Sequence, residues 1–134
     1  MKEIKITPSL DSMEEATAFF EECLTEADAP MKTVIQVNVA VDEVLSNIIR
    51  YSGATSVTLG CSLVDGKAVL CFSDDGRFYD PTAKPDPDIT LSAEERDIGG
   101  LGIFMVKKTM DSVTYEYKDG RNVLTLVKRI EPLK

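Results

Sequence analysis

The stretch SDDGRFYDP (residues 73–81) joins two segments of different character, and its reading decides the fold. Upstream of it, TSVTLGCSLV (55–64) and KAVLCFS (67–73) are strand-like runs separated by Asp65-Gly66, a strong two-residue hairpin signal. Downstream, residues 80–98 contain Pro81, Pro85 and Pro87 and show little periodicity. GGLGIFMVKKTMDS (99–112) then turns through glycines into a helix. The strand therefore ends in an acidic junction and a long loop instead of alternating strictly with helices.

Working outward, MKEIKITPSL (1–10) alternates Ile4 and Ile6 with polar residues and predicts a first strand. SMEEATAFFEECLTEADA (12–29) has apolar residues at helical spacing, Ser9 or Ser12 as a cap, and early acidic residues. Pro30 opens a second helix in which Val34, Val37, Val41, Val44, Leu45 and Ile48 recur at steps of three and four, and Ser52-Gly53 stops it. SVTYEYK (112–118) and NVLTLVKRI (122–130) close the chain as strands joined through Asp119-Gly120. The order β, α, α, β, β, loop, α, β, β disfavours a doubly wound parallel sheet. It predicts an α+β two-layer sandwich, a mixed, mostly antiparallel sheet with about three helices on one face. At 134 residues the chain is read as a single domain, 1–134.

Composition excludes several functions. With 15 Lys plus Arg against 23 Asp plus Glu, the net charge of −8 opposes direct nucleic-acid binding, though a small anion needs only a local site. No apolar run is long enough to span a membrane and no secretory leader is visible, so a cytoplasmic protein is expected. The chain has no histidine, which rules out a Ser-His-Asp triad, a histidine metal site and histidine autophosphorylation within it. A general base must then be a carboxylate or something less usual. Cys23, Cys61 and Cys71 lack metal-ligand spacing, and Cys61 and Cys71 lie in apolar runs, so they read as buried thiols.

Three motifs carry candidate chemistry. Glu43 and Asn47 in VDEVLSNIIR (41–50) lie about 40° apart on the second helix, on a face read as distinct from its Val/Leu/Ile stripe. Such a pair could hold a metal and orient a hydroxyl, or could simply be a solvated face. Asp74-Asp75-Gly76 could be a plain turn. Alternatively, Asp74 could accept a hydrogen bond from an exocyclic amine while Gly76 admits a flat base, with Asp75 serving the turn alone. Phe78 and Tyr79 read first as core and otherwise as pocket walls. The glycines at 99, 100 and 102 before a helix suit a phosphate or a tight connection, and match neither a GxxxxGK[ST] loop nor a Rossmann turn.

Taken together, these motifs make the chain resemble the GHKL (Bergerat-fold) ATPase superfamily, and within it the bacterial anti-sigma-factor serine/threonine kinases. DEVLSN resembles the ExxxN box, DDGRFYDP the DxGxxFDP box with Tyr79 for the usual Phe, and GGLGIFMVKKTMD with NVLTLVKR the second glycine box and closing strands. The resemblance spans roughly residues 30–130. It implies ATP and Mg²⁺ as cofactors, with Asn47 binding Mg²⁺ and Glu43 acting as general base toward a serine hydroxyl. It also implies Asp74 and Gly76 at adenine, and the backbone of Gly100, Leu101 and Gly102 around phosphate. The proline-bearing segment, about residues 82–97, would be an ATP lid. Implied partners are an antagonist protein as substrate, a sigma factor and a second copy of the chain. Tyr51 stands where many relatives have His. The alternatives are an ATP-holding switch that transfers nothing, and the detached ATP-binding half of a histidine kinase.

Overall fold

In the computed structural model, residues 1–83 and 100–130 are described. The elements run β1 (Lys2–Ile6), α1 (Ser12–Glu26), α2 (Met31–Asn47), a π-helical turn (Ile48–Ser52), β2 (Val57–Val64), β3 (Lys67–Asp74), a short 3-10 turn (Pro81–Ala83), α3 (Gly100–Thr109), β4 (Ser112–Lys118) and β5 (Arg121–Arg129). The strands form one sheet in the order β1-β2-β3-β5-β4, and every ladder is antiparallel among the described residues. The mostly antiparallel sheet expected from sequence is thus antiparallel throughout. The expected lid lies, beyond Ala83, outside the described residues.

Both Asp-Gly turns form as their chemistry requires. Asp65 and Gly66 have φ of 51° and 75°, and Asp119 and Gly120 have 54° and 75°. Two consecutive positive φ values match the right-handed twist of the flanking strands, and Asp-Gly tolerates them. The turns set the registers Val64↔Lys67 and Lys118↔Arg121.

Strand periodicity then assigns the faces. On β3, Ala68, Leu70, Phe72 and Asp74 are buried, opposite Val57, Leu59 and Cys61 on β2 and Asn122, Leu124 and Leu126 on β5. This face packs on Phe20 and Leu24 of α1 and on Val37, Val41, Val44 and Leu45 of α2, with Phe20 and Phe72 in ring contact at 5.3 Å. At about 25 cal/mol per Å² of apolar surface removed from water, this layer drives folding. Cys71 points the other way and is only half-buried, so the expectation that it sits in the core is corrected; Cys61 does sit there, in contact with Cys23. Among the described residues, no helix is long and apolar enough to cross a membrane.

The start of α1 also differs from expectation. Asp11 occupies the cap position without a side-chain cap bond. Ser9 and Ser12 instead bond one another, each backbone N–H donating to the other's hydroxyl at 3.0 and 3.3 Å.

Candidate functional site

At one end of the sheet, where β3 and β5 meet the C-terminal end of α2, a small cleft is lined by both apolar and polar groups. Val44, Ile48, Phe72 and Leu124 form apolar walls, and Tyr79, Pro81 and Tyr115 flank them. Asn47, Asp74 and Asn122 supply polar atoms, and these side chains are 3, 3 and 4% exposed. Polar groups buried this deeply cost several kcal/mol in aggregate unless they are paired.

Asn47 corrects an expectation. It lies three residues beyond Val44 and seven beyond Ala40, in phase with the buried stripe, so its face is neither solvated nor apart from the core. Its Nδ2 is buried without a hydrogen bond among the described residues. An orphaned amide costs about 1–3 kcal/mol, and an incoming ligand can relieve that cost.

Asp74 faces inward because it continues the Leu70–Phe72 alternation. Its Oδ1 accepts from the Gly76 N–H at 2.9 Å and from Asn122 Nδ2 at 3.0 Å. No hydrogen bond to Oδ2 exists among the described residues.

The junction after Asp74 is clamped to the π-helical turn. The Arg77 N–H donates to the Ser52 carbonyl at 2.8 Å, and Arg77 Nε to the Tyr51 carbonyl at 2.8 Å. Gly76 makes that approach possible, because an added Cβ would fall 2.7 Å from Ser52 Oγ and closer still to the backbone oxygen. Gly76→Ala is therefore expected to destabilise the fold by about 1–3 kcal/mol, the range for forced overpacking. A urea melt indistinguishable from wild type would show that the clamp is dispensable.

Asp75, expected to serve the turn alone, instead ties β3 to the start of β2. Its carboxylate accepts from the N–H groups of Thr55 at 2.7 Å and Ser56 at 3.0 Å, and from the Thr55 hydroxyl. The Thr55 hydroxyl bond leads these in lowering its pKa from 3.8 to about 2. A depressed folded-state value means the stabilisation is present above pH 3.8 and is lost as pH falls through about 2. Asp75→Asn should lower stability near neutrality and flatten the stability–pH curve across that window, so that variant and wild type converge at low pH. An unaltered acid limb in pH-dependent melts would disprove the linkage.

Glu43 does not line the cleft. Its carboxylate packs against Gly102 in the first turn of α3, and a Cβ on Gly102 would overlap it. Burial pushes the Glu43 carboxyl above the ordinary glutamate range, with the Arg50 guanidinium pulling the other way. Gly100, Leu101 and Gly102 are the first residues of α3, where backbone N–H groups have no intrahelical acceptor and the helix dipole favours an anion. Asn47 and Asp74 thus share the cleft, the Gly76 N–H bonds Asp74 from outside its lining, and Glu43 packs on α3, likewise outside the lining.

Sequence reasoning passed over Asn122, although it heads a strand in phase with Leu124 and Leu126. It also placed Phe78 first in the core. Phe78 is 63% exposed and packs edge-on against Tyr115 and Tyr117, while Tyr79 flanks the cleft and stacks on Tyr51 at 5.2 Å. No group of three or more Cys, Asp or Glu able to hold a metal occurs among the described residues. A cation here would take most of its ligands from a bound phosphate and water, as Mg²⁺ commonly does, and the Asn47 carboxamide offers the hard oxygen such an ion accepts.

Comparison with known proteins gives a consistent picture. The chain is 28% identical over 95 residues to the serine/threonine-protein kinase BtrW of Bordetella bronchiseptica, covering 68% of this chain and 67% of that one. It is 25% identical over 101 residues to the serine-protein kinase RsbW of Listeria monocytogenes, covering 69% of this chain and 64% of the relative. The chain thus spans about two thirds of these relatives. The crystal structure of the RsbU and RsbW domains of Rv1364c from Mycobacterium tuberculosis superposes with a TM-score of 0.68 at 16% identity. That match covers 100% of this chain and 34% of the other, and shows a shared fold. The family model for the histidine kinase-like ATPase domain matches residues 6–128, so the chain belongs to the histidine kinase-like ATPase domain family.

Proposed function

We propose that this chain is an anti-sigma-type serine/threonine kinase that uses MgATP to phosphorylate a hydroxyl on an antagonist protein and regulates a sigma factor by partner switching. The observation that carries this reading is the pairing of a buried carboxylate, Asp74, in an apolar-walled cleft with a half-buried one, Glu43, beside a helix start. Among the described residues no donor meets Asp74 Oδ2 within the apolar walls, which suits the exocyclic amine of adenine. The first residues of α3 offer backbone N–H groups to the phosphates. Mg²⁺, when bound, neutralises charge on the phosphates, and Asn47 is the residue that would hold it.

Glu43 accepts the proton of an incoming serine or threonine hydroxyl as that oxygen bonds to the terminal phosphorus and the bond to ADP breaks. A carboxyl held above its ordinary pKa binds that proton more readily than a solvated one. With no histidine in the chain a carboxylate is the ordinary side chain left for that role, and Glu43 is the one that packs on the start of α3. Similarity to two named protein kinases supports phosphotransfer over mere ATP holding. The resemblance also implies self-association, which sedimentation at tens of micromolar would read independently of activity (order of magnitude chosen from where weak interfaces form).

The test is an assay of ADP formation and phosphoserine or phosphothreonine on candidate antagonist proteins, alongside calorimetric ATP binding. Transfer that requires both ATP and Mg²⁺ supports the reading. Tight ATP binding with no transfer to any candidate would instead leave a nucleotide-holding regulator.

A further inference from the structure

Asn122 is the most heavily bonded polar side chain in the cleft, and the machinery above gives it no role. It stands opposite Asp74 in the β3–β5 register and is 4% exposed. Its Nδ2 donates to Asp74 Oδ1 at 3.0 Å and to the Arg77 carbonyl at 2.8 Å. Its Oδ1 accepts from the Tyr79 N–H at 3.0 Å and from the Tyr115 hydroxyl. Those four bonds exhaust the capacity of a carboxamide.

Amide orientation is often a matter of assignment, but two of these partners fix it. The Arg77 carbonyl can only accept and the Tyr79 N–H can only donate. The amino group must therefore face Arg77 and, with it, Asp74. Asp74 Oδ1 then holds two donors, from Asn122 and Gly76, and its carboxylate plane cannot rotate without breaking both.

We propose that Asn122 is a positioning residue that sets the purine preference of the cleft, holding Asp74 so that its one open oxygen accepts from a 6-amino purine and rejects a 6-oxo purine. The inference rests on the nucleotide reading above and adds to it the source of base discrimination. A 6-amino group donates to Oδ2. A 6-oxo group brings an acceptor against a carboxylate that can neither turn away nor offer a proton, and unpaired polar groups at such a site are strongly discriminating.

The experiment measures calorimetric affinity for ATP and for inosine triphosphate, which differ at position 6, in wild type, Asn122→Ala and Asn122→Asp, with thermal melts as a folding control. Wild type should prefer ATP by roughly ten- to a hundredfold. Asn122→Ala frees the carboxylate to rotate, and the preference should fall to within about threefold (half a power of ten, well under 1 kcal/mol). Asn122→Asp sets a second carboxyl against Asp74, and two carboxyl groups in contact hold one proton between them, which can be donated to a 6-oxo group. Its preference should vanish or reverse. A merely structural role would weaken both nucleotides together and leave their ratio unchanged.

An unchanged ratio in the folded variants overturns the proposal. A wild type that binds both nucleotides equally also overturns it, even if neither variant folds, and leaves ATP binding intact. A wild type that binds neither at concentrations on the order of 1 mM overturns the nucleotide reading itself.

Discussion

Replacing Glu43 with glutamine should slow phosphoryl transfer to a protein substrate by about 10²–10⁴-fold, the usual worth of a positioned general base. ATP affinity should stay within about twofold of wild type, because that carboxylate lies outside the cleft lining. The substitution keeps the shape that packs against Gly102 and removes only the proton acceptor. The pH profile offers a second readout. Burial holds the Glu43 carboxyl above the ordinary glutamate range, so the wild-type rate should rise with pH along a limb displaced upward from that of a solvated glutamate. Glu43→Gln should lose that limb. Rapid-quench transfer assays across pH would check both. A variant that transfers as fast as wild type removes Glu43 from the chemistry, whatever its place beside α3.

How much of this was legible in sequence follows from how each residue's environment is specified. The two Asp-Gly turns were readable because the dipeptide itself prefers consecutive positive φ. The inward placement of Asp74 was readable in principle from the two-residue period that buries Leu70 and Phe72. Asn47 was misplaced because a polar residue inside a helical stripe looks like the stripe's edge. Only the packing of α2 against the sheet shows that its amide is enclosed.

The π-helical turn at Ile48–Ser52 left no compositional trace. It arises from a shift in backbone pairing, and it presents the Ser52 and Tyr51 carbonyls to Arg77. Phe78 was assigned to the core on hydrophobicity alone. Its exposed position follows from the junction's clamp to that turn, a contact between residues 25 apart that no local pattern encodes. Asn122 was missed for a related reason: an asparagine at the head of a strand reads as a turn residue until its partner across the sheet is known.

The largest binding effect is expected at Asp74, and the surrounding bonds explain why a change of one atom should matter so much. In Asp74→Asn the new side chain has one oxygen and one amino group to place. The Oδ1 position already faces two donors, the Gly76 N–H and Asn122 Nδ2. An amino group there would meet both head-on, so the oxygen stays and the amino group points into the cleft. It then faces the exocyclic amine of adenine, donor against donor, where the wild type has a charge-assisted bond. Hydrogen bonds to charged groups contribute about 1.5–3 kcal/mol, so ATP affinity should drop roughly ten- to 150-fold. The same amino group suits a 6-oxo purine, so inosine triphosphate should lose far less or gain. A simple loss of structure would weaken both nucleotides and lower the melting temperature; a reversal of preference at an unchanged melting temperature would come only from the carboxylate reading the base. Calorimetry that finds ATP affinity unaltered in Asp74→Asn would remove Asp74 from the site, and with it the assignment of this cleft to the base.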